Sequence, residues 1–200
     1  MRGALITIEG IDGAGKSTLA TALAGRLPVT LLREPGGVEL SERIRALVKD
    51  PALMVDPRAE ALLYAAARAQ LVAERVEPLL ADGTHVLLDR FVDSSLAYQG
   101  AGRGLGVDEV RAINRFGTGG LAPDRTLLLR IDPAAGRARQ SGRGDEPDRL
   151  EREDDAFFSA IAAAYDALAA AEPARFVVID AAQPPDAVLA EAVAALDGLL

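Results

Sequence analysis

Residues 5–18 read LITIEGIDGAGKST, and this stretch decides the fold. An apolar, β-branched run ends at Glu9, and the segment from Gly10 to Ser17 then matches the pattern G-x-x-x-x-G-K-[ST]. A strand that leads through a glycine-rich loop into a helix surrounds phosphate with backbone N–H groups and a helix N-terminus. The stretch therefore predicts a P-loop at the first strand–helix junction.

The positions of Lys16 and Ser17 within this loop predict a role for each of them. Lys16 is placed to reach the β- and γ-phosphates of a nucleotide, and the Ser17 hydroxyl is placed to ligate Mg²⁺. We therefore expect ATP to contact Gly10, Asp12, Gly13, Ala14, Gly15, Lys16, Ser17 and Thr18. The alternative is a glycine-rich turn that holds no ligand.

The rest of the chain alternates strand and helix patterns. Short apolar runs without strict polar alternation are typical of strands buried on both faces, and they predict strands at 4–9, 29–32, 85–89, 125–131 and 176–180. Helical patterns lie at 16–26, 40–48, 58–80, 107–116, 133–140, 154–171 and 185–199. This alternation predicts one doubly wound α/β domain over residues 1–200.

Composition excludes several classes of protein. The chain has 200 residues, a net charge of −8, no cysteine and a single histidine, His85, which excludes disulfides, thiolate nucleophiles and histidine-rich metal sites. The acidic balance argues against binding to nucleic acid or to an anionic membrane. With no signal-like or membrane-spanning segment in the sequence, we expect a cytoplasmic protein.

Charged residues follow directly on two of the predicted strands. Arg33 and Arg90 stand at carboxyl ends, where open α/β sheets bind ligands, and the planar guanidinium group suits phosphate oxygens. Asp89 ends its strand beside the P-loop and could hold Mg²⁺ through water. Tyr64 and Arg68 lie four residues apart on one helix face, as a ring that stacks on a base and a donor that reads its edge would.

The stretch from Gln140 to Asp148 contains no large apolar residue, so nothing in it anchors it to a core. It is either a passive surface loop or part of a lid over residues 140–152.

These motifs together resemble bacterial thymidylate kinases, within the P-loop nucleoside monophosphate kinases. The resemblance rests on residues 12–18, on Arg-Glu-Pro-Gly-Gly at 33–37, on Asp-Arg-Phe at 89–91 and on residues 94–100, in this order. It implies a five-stranded parallel sheet wrapped by helices, the conversion of dTMP to dTDP with Mg²⁺ and ATP for dTTP synthesis, and a homodimer.

The resemblance also implies a role for each residue of the acceptor site. Tyr64 would stack on thymine where relatives usually carry Phe, Arg68 would reach the O4 carbonyl, and Ser95 would lie near N3. Tyr98 would exclude a 2′-hydroxyl, with Gln99 beside the sugar or base. The remaining implied contacts are those of Asp12 near the 3′-hydroxyl and of Arg33 and Arg90 at the acceptor phosphate.

The P-loop carries no cation at its variable positions, so the resemblance implies catalytic arginines in the lid. Arg143 and Arg149 are the favoured candidates beside Lys16 and Arg90, and Arg152 is a further one. Arg139 would stack on adenine, with Ala182–Pro184 as a wall. Arg130 stands where relatives commonly carry Asp, and the lid is lengthened near Pro147, which leaves the alignment inside it open.

Two other functions remain open on the sequence. One is a P-loop kinase for another monophosphate or a small hydroxylic substrate, which would need Lys16, Ser17 and Asp89 but not the acceptor-site motifs. The other is a regulatory or scaffold protein that binds ATP without transferring phosphate. A GTPase is excluded because Asn114, the only asparagine, is followed by Arg115 rather than by the lysine of a guanine-reading motif.

Overall fold

The computed structural model describes residues 2–142 and 146–200. Its centre is a parallel sheet of five strands in the order β2-β3-β1-β4-β5. The strands are β1 (Leu5–Glu9), β2 (Val29–Arg33), β3 (His85–Asp89), β4 (Arg125–Arg130) and β5 (Phe176–Asp180). The predicted fold class and its strands are confirmed, with ends that move by one residue in β1, β2 and β4.

The helices lie on both faces of the sheet. They are α1 (Lys16–Ala24), α2 (Glu39–Lys49), α3 (Pro57–Leu71), α4 (Glu77–Ala81), α5 (Val92–Ser95), α6 (Val107–Gly117), α7 (Pro133–Ser141), α8 (Asp155–Ala171) and α9 (Pro185–Ala194). Within the described residues, none of them has the length and apolar character that a membrane span needs.

The central strands are apolar because the sheet is covered on both sides. Every residue of β1 is buried, and Leu87 of β3 and Leu127 of β4 are fully buried beside it. A polar pair is tolerated in this core because the hydroxyl groups of Thr7 and Thr126 bond to each other at 2.8 Å. Strand β3 pairs in parallel with β1 on the other side, so their carboxyl ends lie next to each other, and the predicted P-loop and Arg90 follow on them.

The helical pattern at 58–80 does not form one continuous α-helix. Helix α3 ends at Leu71, a wider π-helical turn covers Val72–Val76, and α4 follows with Pro78 in its first turn. Proline has no N–H and cannot continue the α-helical bonding from the preceding turn, so the wider turn takes up the mismatch.

A helical segment at residues 92–102 has no counterpart among the predicted helices. It consists of α5 and a π-helical turn over Leu96–Gly102, and it carries Ser95, Tyr98 and Gln99. The π turn is rich in small residues, which give a weak helical pattern in the sequence.

Two glycines let the P-loop pack directly on α7. Gly13 has φ 81°, and a Cβ there would overlap the carbonyl group of Gly136. A Cβ on Gly136 would in turn lie 2.8 Å from the carbonyl oxygen of Asp12. The position of the loop therefore depends on the absence of a side chain at both residues.

This contact predicts that Gly136→Ala destabilises the fold. Alanine gains about 1 kcal/mol of helix propensity over glycine, but overpacking against a backbone carbonyl costs about 1–3 kcal/mol. We expect urea denaturation to show a net loss of about 1 kcal/mol. The control is Gly142→Ala at the end of the same helix, where the nearest atom lies 3.5 Å from the new Cβ; equal stability of the two variants would contradict the prediction.

Candidate active site

A cavity of about 370 Å³ opens at the carboxyl ends of β1, β2 and β3. Its volume is in the range of small-molecule sites. Fourteen of the residues singled out from the sequence line it, namely Asp12, Gly13, Gly15, Lys16, Ser17, Thr18, Arg33, Tyr64, Arg68, Asp89, Arg90, Ser95, Tyr98 and Gln99. One cleft thus joins the P-loop to the predicted acceptor-site residues.

The P-loop has the backbone geometry of an anion cradle. Gly13 and Gly15 have φ 81° and 93°, a region that favours glycine, and Gly15 is the N-cap of α1. Lys16 is buried, and its Nζ donates to the Ile11 carbonyl at 2.8 Å, which holds the ammonium group over the loop. Burial, with the nearby Arg90 guanidinium, lowers the pKa of Lys16 to about 8.

Ser17 and Asp89 come together beside the P-loop. The Ser17 hydroxyl donates to Asp89 Oδ2 at 2.7 Å. A hydroxyl and a carboxylate at the mouth of a phosphate cradle are the hard oxygen donors that Mg²⁺ prefers.

Asp12 and Arg90 form an ion pair across the cleft. Arg90 Nη2 donates to Asp12 Oδ1 at 2.6 Å, and the Tyr98 hydroxyl donates to Asp12 Oδ2 at 2.8 Å. Burial alone would raise the pKa of Asp12, but the Arg90 and Lys16 cations outweigh it and hold that pKa well below its usual range. Asp12 is therefore ionised and fixes the orientation of Arg90.

Arg90 occupies a strained backbone conformation. Its φ of 72° is uncommon for a residue with a side chain. The guanidinium group is held by the carbonyl of Gly10 at 3.1 Å and by Ser94 Oγ at 3.0 Å, besides its contacts with Asp12 and Tyr98. Such strain persists where the surrounding bonds determine the geometry, which is common at functional sites.

Ser94 is itself held by Glu9, a fully buried carboxyl at the end of β1. Ser94 Oγ donates to Glu9 Oε2 at 2.6 Å, and the Tyr165 hydroxyl donates to the same oxygen at 2.9 Å. Burial, with the nearby Asp93 carboxylate, raises the pKa of Glu9 to about 7. Glu9 thus holds Ser94, which in turn accepts a hydrogen bond from the Arg90 guanidinium.

Arg68 lies at the opposite end of the cavity and is 2% exposed. Its Nε donates to Glu34 Oε2 at 2.7 Å, its Nη2 donates to the Phe91 carbonyl at 2.9 Å, and its Nη1 bonds to Ser95 Oγ at 2.9 Å and to the Asn114 side chain. A guanidinium group has five N–H bonds, so these four contacts leave one donor on Nη2.

Glu34 compensates the Arg68 charge in this buried position. Glu34 lines the cavity, and its buried Oε1 has no hydrogen-bond partner among the described residues. Burial outweighs the attraction of Arg68 and raises the pKa of Glu34 to about 7.

Two other predicted binding arginines lie at the edges of the site. Arg33 is half-exposed, and its Nη2 donates to both carboxylate oxygens of Glu42, at 2.9 and 3.0 Å, beside the cavity that it lines. Arg139 lies outside this cavity, on α7, and donates to the Ala181 carbonyl at 2.9 Å. The Arg139 contact brings it next to the segment 182–184 that was predicted to form a wall for adenine.

Of the two favoured lid arginines, Arg143 lies outside the described residues. Arg149 is described, and it turns toward the acceptor side of the cleft. Its Nη2 donates to Glu60 Oε2 at 2.6 Å, and its Nε donates to the Val48 carbonyl at 3.0 Å. In this structure Arg149 therefore does not line the cavity that holds the P-loop.

Sequence reasoning missed the buried partners that hold the site residues in place. These are Glu9, Glu34, Glu60, Ser94, Asn114 and Tyr165. Some signals were present: Glu34 and Ser94 lie inside the quoted motifs, and Glu60 precedes Tyr64 by one helical turn. Asn114 and Tyr165 come from distant segments and carry no comparable signal.

Comparison with known proteins agrees with this geometry. The family model for thymidylate kinase matches residues 8–192. The chain is 50% identical over 200 residues to the thymidylate kinase of Deinococcus radiodurans, which covers 98% of this chain and 97% of that protein. It is 48% identical over 201 residues to the thymidylate kinase of Lactobacillus delbrueckii subsp. bulgaricus, covering 96% and 95%.

A solved structure shows the same fold. The crystal structure of thymidylate kinase from Ehrlichia chaffeensis superposes with a TM-score of 0.80 at 28% identity, covering 98% of this chain and 100% of that one. The family match spans most of the chain and includes the P-loop and the acceptor-site residues. The chain therefore belongs to the thymidylate kinase family.

Proposed function

We propose that this cleft transfers the γ-phosphoryl group of ATP to dTMP, giving dTDP and ADP. The observation that carries the proposal is that one cavity joins a P-loop to a buried arginine that retains a single donor, Arg68. A regulatory protein that only binds ATP would not need the half of this cleft in which the acceptor-site residues lie.

At the donor end, the P-loop from Gly10 to Thr18 holds the ATP phosphates. Backbone N–H groups, the α1 N-terminus and the Lys16 ammonium neutralise their charge. Arg139 and the segment 182–184 are assigned to adenine, because Arg139 is already held beside that segment.

At the acceptor end, Arg90 and Arg33 bind the phosphate of dTMP. Tyr64 stacks on thymine, and the remaining N–H of Arg68 donates to a carbonyl oxygen of the base. Ser95 and Gln99 provide further polar contacts with the nucleoside. Tyr98 lies at the sugar, where its bond to Asp12 keeps the ring close and leaves little space for a 2′-hydroxyl.

The donors beside the P-loop fit Mg²⁺. Ser17 and Asp89 would hold the ion, directly or through water, and it would supply charge neutralisation at the transferring phosphate. The described residues contain no group of three or more His, Cys, Asp or Glu placed to bind a metal, so the other ligands would be phosphate oxygens and water.

The reaction needs no strong general base. The second pKa of a phosphate monoester is about 6, so the attacking oxygen of dTMP is ionised at neutral pH. Lys16 and Arg90 contribute by in-line positioning and by stabilising the negative charge of the transition state. Arg143 and Arg149 remain the proposed lid arginines, and Arg149 would leave Glu60 in order to contact phosphate.

The reaction is assigned to the cytoplasm, where ATP and dTMP are available.

A homodimer is also proposed, because three neighbouring helices expose large apolar side chains. Leu40 and Leu47 lie seven residues apart on α2, Leu62 lies on α3, and Phe116 of α6 is 92% exposed. Helix α3 packs against both α2 and α6, so the three helices that carry these side chains adjoin one another.

The dimer proposal predicts that Leu47→Glu combined with Leu62→Glu gives a monomer in sedimentation velocity, because the charges would be buried without partners. The matched control is Val178→Glu on β5, an exposed apolar position away from these helices. A wild-type monomer, or a double variant that stays dimeric, would contradict the proposal.

The direct test of the activity is ADP release measured in parallel with dTMP, dUMP, dCMP, dGMP and shikimate. We expect turnover to be fastest with dTMP and to be absent without an acceptor. Faster turnover with any other acceptor would refute the dTMP assignment. ADP release that is independent of acceptor would refute the kinase assignment.

The lowered pKa of Lys16 predicts a pH dependence. The ammonium is charged below its pKa of about 8 and neutral above it, so kcat/KM for ATP should fall about tenfold per unit as the pH rises above 8. Bound phosphates favour the charged form, so kcat at saturating ATP should hold to a higher pH. A constant kcat/KM up to pH 10, in protein that circular dichroism shows to be folded, would contradict this role.

A further inference from the structure

Glu60 of α3 is a buried carboxylate that joins two other segments of the chain, the π-helical turn with its C-cap and the segment that contains Arg149. It is 0% exposed, and its two oxygens accept bonds from Gln99, Arg103 and Arg149. Gln99 Nε2 donates to Oε1 at 2.8 Å, and Arg149 Nη2 donates to Oε2 at 2.6 Å. Arg103 spans both oxygens, at 3.3 Å from Nε and 3.1 Å from Nη2. We call these residues the Glu60 cluster.

The charges of the cluster are balanced. Glu153 completes it by accepting from Arg103 Nη1 at 2.5 Å, so two carboxylates face two guanidinium groups. A buried ion network is favourable when its charges are compensated and its hydrogen bonds are made, and here both conditions hold. The geometry of each member therefore depends on Glu60.

One side of the cluster is the acceptor pocket. Gln99 lines the cavity together with Ser95 and Tyr98; Ser95 ends α5, and Tyr98 and Gln99 lie in the π-helical turn that follows. The Glu60 carboxylate holds the Gln99 amide by its NH₂ group, which orients the amide oxygen.

The other side of the cluster is the lid segment. The backbone N–H of Arg149 donates to the Lys49 carbonyl at 3.3 Å, and Lys49 Nζ bonds to Asp148 Oδ2 at 2.5 Å. Leu150 is buried, and Asp148, Leu150 and Glu151 line the same cavity as the acceptor-site residues. Residues 148–151 thus form a wall of the acceptor pocket, docked on the end of α2.

We infer that Glu60 is a positioning residue that latches the lid segment over the acceptor pocket through Arg149 and orients Gln99 at the same time. The inference rests on the proposed function for the identity of the acceptor, dTMP. Glu60 touches neither substrate in this account, and it acts through Gln99 and Arg149. Arg149 therefore holds the lid segment on the acceptor side before it makes its proposed contact with phosphate.

The latch is tested without ligand by hydrogen exchange of the amides at 148–153. Glu60→Gln removes the charge that holds Arg149, so these amides should exchange at least roughly tenfold faster than in the wild type. Arg149→Met should accelerate the same amides, and it leaves Glu60 paired with Arg103, so it serves if Glu60→Gln does not fold. Asp166→Asn, which breaks the exposed pair with Arg130, is the control and should leave them unchanged.

Steady-state kinetics separates the latch from a direct catalytic role. Glu60→Gln should raise KM for dTMP about tenfold with a smaller effect on kcat. Arg149→Met should raise KM by a similar factor and should also lower kcat, because Arg149 is in addition a proposed lid arginine. In KM, the double variant should be no worse than the more affected single one. Glu60→Asp should recover part of the loss, because it restores the charge.

Unchanged exchange at 148–153 together with unchanged KM in both single variants would overturn the inference. A fall in kcat without a rise in KM for Arg149→Met, combined with an unchanged KM for Glu60→Gln, would also overturn it and leave Arg149 with a role at the transferring phosphate alone. A wild type that does not phosphorylate dTMP would overturn the proposed function, whereas the ligand-free exchange result would still decide whether Glu60 holds the lid segment.

Discussion

The ion pair between Asp12 and Arg90 is the contact on which the rest of the site depends. Asp12 belongs to the P-loop, Arg90 follows the neighbouring strand, and their bond of 2.6 Å ties the donor half of the cleft to the acceptor half. Tyr98 completes the link from the sugar side, and Glu9 supports Arg90 through Ser94. Arg90 makes this contact from a backbone conformation with φ 72°, and the P-loop that carries Asp12 packs closely on α7.

A chain with a net charge of −8 binds two anionic nucleotides by local arrangement of charge. Three arginines in or beside the cleft have a carboxylate partner: Arg90 has Asp12, Arg68 has Glu34, and Arg149 has Glu60. Pairing keeps the guanidinium groups charged and oriented inside the protein, at a lower cost than isolated buried charges would have. The net charge of the chain therefore bears on its association with polyanions such as nucleic acid. The binding of nucleotides in the cleft depends instead on these local ion pairs.

Much of the fold and the donor site could be predicted because their signals are local. The strands are short apolar runs, and Gly10 to Ser17 specify a loop whose backbone holds phosphate. The support of the acceptor site could not be predicted in the same way. Arg68 depends on Glu34 and Asn114, which are 34 and 46 residues away, and no sequence period connects them. The π-helical turns were missed for a related reason, since helical periodicity does not reveal a locally wider turn.

The central claim is that one cleft holds dTMP with its phosphate at Arg90 and its base at Arg68. A crystal structure of the chain with bound dTMP tests it most directly. We expect phosphate oxygens within hydrogen-bond distance of the Arg90 guanidinium, thymine stacked on Tyr64, and a base carbonyl oxygen bonded to Arg68 Nη2. A nucleotide bound with its base away from Tyr64 and Arg68, or with its phosphate out of reach of Arg90, would contradict the account.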